Sequence, residues 1–254
     1  MTVALPVLAA CGVEACPLPT AVLSTHTGGF GAPHVSDLTG SMLPTAQHWE
    51  RAGILFNVIS CGYLGSAAQM EHVSRIFETA AAPGCVKIID PAMADHGRLY
   101  AGFDGSFVES MKGFCAKADW LLPNITEACL LTDTEYREQY DRAWIGVLLE
   151  NLSALGCQNV LLTGVSFEED TTGVMVNGEY LSHRRLSRGC HGTGDLFAAV
   201  FAGGLARGKT GSEAARLAAD FTLSCMEHTF QKTAQPYGII FEPLLGELMT
   251  ALNP

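Results

Sequence analysis

Short apolar runs alternate with longer stretches of helical period along almost all of this 254-residue chain, and no other feature constrains its fold as tightly. Runs of strand length stand at Ala15–Ser24 (broken by Pro17 and Pro19), Ile54–Ser60, Cys85–Asp90, Asp119–Leu122 and Asn159–Thr163. Gly173–Val176 and Tyr180–Leu186 read as an antiparallel pair about Asn177-Gly178, a dipeptide that accepts the positive φ a tight hairpin needs. Between them, Ser66–Ala82 opens on a capping serine and sets Met70, Val73 and Phe77 on one face. Asp141–Leu155 repeats apolar residues from Trp144 onward and stops at Gly156. Asp195–Ala206, Ser212–Phe230 and Phe241–Leu252 complete the helices. Strand–helix–strand alternation predicts an α/β fold, a three-layer α/β/α sandwich around a mainly parallel sheet. No repeat or low-complexity linker divides the sequence, so residues 1–254 are expected to form a single domain. Ligands of such sheets bind at the carboxyl ends of the strands.

Charge and composition narrow the partners. A net charge of −11 argues against nucleic acid, whose phosphates require a basic surface. It does not exclude a nucleotide, because backbone amides and magnesium supply positive field locally. The longest apolar run, Leu196–Ala206, is too short to span a bilayer, and the apolar N-terminus lacks the positive flank of a signal peptide, its first basic residue being Arg51. The nine cysteines are odd in number and include no pair with the two-residue gap of zinc or redox sites. Reduced thiols in a cytoplasmic protein are expected, with no membrane partner.

Four strand ends carry groups suited to phosphate or metal chemistry. Gly192-Thr193-Gly194-Asp195 opens an Ala-rich helix. Its glycines let the backbone approach a ligand closely, and the helix start aims free amides at the same point. The result is an anion hole for charge developing on a transferred group, with Asp195 placed to accept a proton from an attacking hydroxyl. Asn124 and Glu127, one helical turn apart after Pro123, form either a capping box or a pair of hard oxygen ligands that reach magnesium through water. Both roles are compatible. Asp90-Pro91 closes a strand with a carboxylate that would hold a metal or serve as a turn residue. Thr163-Gly164 ends another strand, beside a phosphate oxygen or simply at a turn.

Apart from Thr163-Gly164, these residues fall within longer segments that resemble the pyridoxal kinases of the ribokinase-like superfamily. Asp90-Pro91-Ala92-Met93-Ala94-Asp95-His96-Gly97-Arg98-Leu99-Tyr100 is similar to their D-P-V-M-G-D-x-G-x-L-Y, and Ala118 to Ala128 to their A-D-x-x-x-P-N-x-x-E-A. Gly192 to Ala199 reproduces G-T-G-D-L-F-A-A. Ser24-Thr25-His26-Thr27-Gly28 resembles S-N-H-T-G, and Gly62-Tyr63-Leu64-Gly65-Ser66 resembles G-Y-L-G-S. The resemblance runs in order from about Pro6 to the C-terminus.

It implies a ribokinase-like fold and transfer of the γ-phosphoryl of ATP, with Mg2+, to the 5′-hydroxymethyl of vitamin B6 vitamers. Asp195 would be the general base, with Gly192, Thr193 and Gly194 as the anion hole. Asn124 and Glu127 would serve the magnesium–phosphate cluster, Asp90 and Thr163 would line the nucleotide phosphates, and Thr27 and Tyr63 would contact the pyridine. Asp90 and Glu127 are the metal candidates. A homodimer is implied as well. His26 is assigned no chemistry, and Cys190 reads as a packing thiol.

Three departures stand out. The chain begins inside the helix that follows the family's first strand, Ala94 replaces a glycine, and Gly29 stands where an aromatic often follows T-G. Absence of that strand would leave a neighbour's hydrogen bonds unmet and one pocket wall open. Two alternatives therefore accompany the kinase expectation. One is a hydroxymethylpyrimidine kinase, whose anion loop commonly carries Cys at the position of Asp195. The other is a homologue that binds nucleotide or vitamer without turnover.

Overall fold

The computed structural model describes residues 1–26, 30–232 and 237–252. In chain order it opens with α1 (Ala4–Ala10), a hairpin of β1 (Ala21–Leu23) and β2 (Val35–Asp37), and α2 (Thr39–Ala52). Next come β3 (Phe56–Cys61), α3 (Ala67–Thr79), β4 (Ala81–Ile89), the short β5 (Ala94–Asp95) and β6 (Arg98–Leu99), and α4 (Gly105–Cys115). β7 (Trp120–Leu121), α5 (Ile125–Leu131), α6 (Arg142–Ala154) and β8 (Asn159–Val165) follow. The chain then forms β9 (Thr171–Val176), β10 (Glu179–Arg184), α7 (Thr193–Ala206), α8 (Gly211–Lys232), a 3₁₀ turn at Glu242–Leu244 and α9 (Leu245–Leu252).

Six strands make the central sheet in the order β10-β9-β8-β7-β4-β3. β3, β4, β7 and β8 are parallel, and β9 and β10 join antiparallel. The period of two along each strand sorts side chains to opposite faces. Ile89, Leu121, Val160 and Leu162 enter one apolar cluster with α3, α4, α5 and α6. Their neighbours Ile88, Leu122 and Leu161 enter the other, with α1, α7, α8 and α9. This is the three-layer arrangement the alternation predicts. α1 lies so close to α7 that a Cβ at Gly203 would come within 2.5 Å of Cys11 Sγ, so only glycine fits there. Among the described residues no helix is long and apolar enough to cross a membrane. All nine cysteines are free thiols, six of them buried.

Several expectations need correction. Of Ala15–Ser24 only Ala21–Leu23 is strand, and it pairs with β2 outside the main sheet because the two prolines remove ladder donors. α2 and α4 were not expected. α2 holds Pro44 inside it, and burial of Met42, Ala46 and Trp49 maintains the helix regardless. The last long helix splits into the 3₁₀ turn and α9. Thr163-Gly164 does not end its strand: β8 runs on to Val165, and Gly164, at φ 73°, sits at a break in its register with β9. β3 is an edge strand, with no strand paired to its outer side among the described residues. Asn177 and Gly178 take positive φ in the β9–β10 turn, as the dipeptide predicts.

Candidate active site

The carboxyl ends of β4, β7 and β8 bring one constellation together. Asp90 follows β4 directly, its amide bonded to the Cys61 carbonyl at the end of β3. Its carboxylate accepts from the Ala92 N–H at 3.2 Å, in a turn where Ala92 is driven to φ 31°. The β5–β6 hairpin then folds back through His96 and Gly97, both at positive φ.

Asn124 caps α5 and forms a full capping box with Glu127. The Asn124 Oδ1 accepts from the Glu127 N–H, and Glu127 Oε2 accepts from the Asn124 N–H, both at 2.9 Å. Glu127, only 2% exposed, does more than cap. Its Oε1 accepts from the Met93 and Ala94 amides at 2.9 and 3.3 Å. Asn124 Nδ2 donates to the Ala94 carbonyl at 2.8 Å, and the Gly97 N–H donates to Thr126 Oγ1 at 3.0 Å. Four hydrogen bonds from three side chains thus fasten the 90–97 loop to the head of α5. Thr163 bridges to the same point, its amide bonded to the Pro123 carbonyl at 2.9 Å.

The phosphate loop forms the second part of the site, within electrostatic reach of Asp90. Gly192, at φ 88°, is the N-cap of α7, which begins at Thr193 and places Asp195 in its first turn. Leu196 makes the first helical bond, to the Gly192 carbonyl. Helix geometry leaves the amides of Thr193, Gly194 and Asp195 without an acceptor four residues back.

Electrostatics tie the two parts. Burial, then the charge of Asp195, push Asp90 up to about 7. Burial, then the charge of Asp90, push Glu127 up to about 8 against three backbone donors. Desolvation raises Asp195 as well, although the residue is exposed at the surface. The Tyr100 hydroxyl is raised by burial and then by the charges of Glu127, Asp95, Asp90 and Asp195. Like charges brought together out of water favour protonation until a cation arrives.

Of the residues expected at the site, Asp90, Asn124, Glu127, Thr163, Gly192, Thr193, Gly194 and Asp195 converge. Tyr63 lies on the loop after β3, 42% exposed, its ring 5.8 Å from Phe103, which stacks on Phe107 at 3.8 Å. Thr27 lies outside the described residues. A cleft of about 640 Å³ beside Asn124 and Thr163 is lined also by Asp95, Tyr140, Phe167 and Arg185.

Sequence reasoning missed Thr126, Tyr100, Arg185 and Gln69. Gln69 is fully buried, accepts from Gly65 N–H at 2.8 Å and donates to Thr39 Oγ1 at 2.8 Å and the Thr20 carbonyl at 3.1 Å. It anchors the loop carrying Tyr63. A lone amide on the apolar face of α3 was the available signal.

Comparison with known proteins places the chain. The phosphomethylpyrimidine kinase family model matches residues 4–239. The chain belongs to this family. Within it, the pyridoxine/pyridoxal/pyridoxamine kinase of Bordetella avium is 32% identical over 218 residues, covering 78% of this chain and 69% of that protein. The crystal structure of pyridoxal kinase from Lactobacillus plantarum superposes with a TM-score of 0.89 at 34% identity, over 97% of this chain and 90% of that one. A Bacteroides thetaiotaomicron protein, provisionally named a phosphomethylpyrimidine kinase and crystallised with pyridoxal, gives 0.90 at 34% identity over 98% and 90%. The ribokinase-like architecture expected from the sequence is the architecture of these kinases.

Proposed function

We propose that this chain transfers the γ-phosphoryl group of ATP to the 5′-hydroxymethyl of pyridoxal and its alcohol and amine relatives. The observation that carries this reading is the Asn124–Glu127 capping box fastened to the Asp90 loop at the strand ends, with Asp195 in the first turn of α7 acting on Asp90 through its charge. It brings a base and an anion hole within electrostatic reach of a carboxylate pair.

Asp195 takes the proton of the hydroxymethyl group as its oxygen attacks the γ-phosphorus. The bond to the oxygen bridging the β- and γ-phosphates breaks, ADP departs with that electron pair, and Asp195 releases its proton afterwards. A carboxyl raised above its ordinary range by desolvation is the better base for this step. The amides of Thr193, Gly194 and Asp195 receive the charge that develops on the transferred oxygens. Thr163 and Arg185 line the side on which the triphosphate enters, and the exposed face of Tyr63 suits stacking on a pyridine ring. The assigned vitamer contact of Thr27 belongs to this proposal.

The carboxylates fit magnesium. Asp90 and Glu127 repel one another in a desolvated setting that a divalent cation relieves. Asp90, with one backbone donor, would hold the ion directly. Glu127, with three, would act from behind Asp90 through water. Among the described residues no cluster of three or more His, Cys, Asp or Glu forms a metal site by itself. Nucleotide oxygens would complete the sphere, and the ion would neutralise phosphate charge. The reading includes a cytoplasmic location, where ATP is abundant, and a homodimer.

Hydroxymethylpyrimidine is the second candidate substrate, favoured by the name of the matching family. Purified protein with magnesium-ATP and either pyridoxal or hydroxymethylpyrimidine, followed by mass spectrometry, separates the possibilities. The expected product is pyridoxal 5′-phosphate at the higher kcat/KM. Nucleotide binding with no phosphorylated product from either compound overturns the enzyme reading in favour of a binding protein.

A further inference from the structure

The phosphate loop is held from outside by a cluster of rings that neither apolar cluster nor the proposed chemistry explains. His26, on the segment leaving β1, donates from Nε2 to the Tyr237 carbonyl at 2.8 Å. A carbonyl only accepts, so Nε2 carries the proton. The His26 ring stands 4.5 Å from that of His191, 4.9 Å from Tyr237 and 5.0 Å edge-on from Phe30. His191 immediately precedes Gly192, and its carbonyl accepts from the Ile239 N–H at 2.9 Å. A Cβ at Gly192 would meet Ile239 Cγ2 at 3.4 Å, so the same segment backs the loop's turn. Phe30 and Tyr237 are 51% and 59% exposed, so little burial of apolar area rewards this convergence. What it achieves is positional.

We infer that His26 is a positioning residue: through the Tyr237 carbonyl and the His191 ring it clasps the phosphate loop and fixes the direction of the Gly192–Asp195 amides. An anion hole acts through the aim of its donors, so a loop free to shift by a fraction of an ångström loses rate before it loses affinity. The Nε2 proton of His26 is committed to main chain rather than to a substrate.

The inference rests on the kinase reading, and its test keeps the two apart. Three variants separate the contacts. His26→Phe keeps a ring against His191 without the donor, His26→Gln keeps a donor without the ring, and His26→Ala removes both. For His26→Ala the clasp predicts kcat lower by about tenfold, with KM for pyridoxal and ATP within about twofold of wild type. His26→Phe and His26→Gln should each recover part of the loss. Amide hydrogen exchange of the peptide spanning 190–195, in nucleotide-free protein, should accelerate in His26→Ala by about tenfold while α3 and α8 exchange as before. An unchanged kcat with raised KM for pyridoxal makes His26 a substrate contact and overturns the clasp. So does lowered kcat with unchanged exchange at 190–195. If the wild-type protein forms no product at all, the kinase reading fails on its own, and the exchange comparison still decides the clasp.

Discussion

The two sides of the candidate site, here its walls, are built by opposite means. The Asp90–Glu127 wall is a closed hydrogen-bonded network: one buried carboxylate accepts three main-chain amides, and Asn124 and Thr126 fasten the remainder. Among the described residues the phosphate-loop wall shows no such hub. It relies on one left-handed glycine, the start of a helix and a ring cluster at the surface. The difference matches the tasks. A pair of desolvated carboxylates must be held rigidly because each repels the other. A loop of amides that receives a moving phosphoryl group must instead leave its donors unpaired until the ligand comes.

Substitutions on each side should therefore fail differently, and the largest contrast lies between rate and stability. Gly192→Ala forces a Cβ into left-handed backbone against Ile239. It should lower kcat about a hundredfold while costing only about 1–2 kcal/mol of stability. Steady-state kinetics paired with urea unfolding will show it, and a stability loss with normal kcat would erase the contrast.

Glu127→Ala should behave in reverse order of cause, because it strands three buried amide donors. A loss of about 2–3 kcal/mol in urea unfolding is expected. Stability unchanged within error would mean the network is ornamental.

The carboxylate wall should also make stability fall with pH. Asp90 and Glu127 titrate in the folded protein near 7 and 8, above the range of unfolded carboxylates. The folded state therefore keeps protons that the unfolded chain releases, and the resulting stability is complete below pH 4 and lost as pH rises toward 8. Thermal midpoints without divalent cation should decline across that window. Asp90→Asn should flatten the decline, and added magnesium should restore the midpoint most at the alkaline end.

Smallest is the expected effect of Gln69→Leu, which keeps the volume but frees the Tyr63 loop. We expect a KM for pyridoxal raised by about threefold to tenfold with kcat nearly constant. Equal loss in both constants would place Gln69 in the phosphate-transfer machinery instead.

The same contrast explains what was legible in the sequence. Strand ends and helix heads carry their chemistry locally, so Asp90, Asn124, Glu127 and the Gly192–Asp195 turn were readable from neighbours in the chain. Periodicity likewise exposed β3, β4, β8, α3 and α6. α2 escaped because Pro44 and Gly40 oppose a helix locally, and only packing of Trp49 and Met42 overrides them. α4 escaped despite its Asp104 cap, which holds the Ser106 and Phe107 amides, because Gly105 and Gly113 dilute its pattern. Gln69 and the His26–Tyr237 contact join segments far apart in the chain, the latter 211 residues, so their partners cannot be read from neighbouring residues even where a lone buried amide marks Gln69 itself.

The account turns on Asp195 taking the proton of an alcohol held between these walls. Formation of pyridoxal 5′-phosphate by Asp195→Asn, beside the wild type under saturating magnesium-ATP, tests this most directly. The account predicts kcat lower by about a thousandfold, with nucleotide affinity within threefold of wild type. Product formed by the variant at the wild-type rate would contradict it.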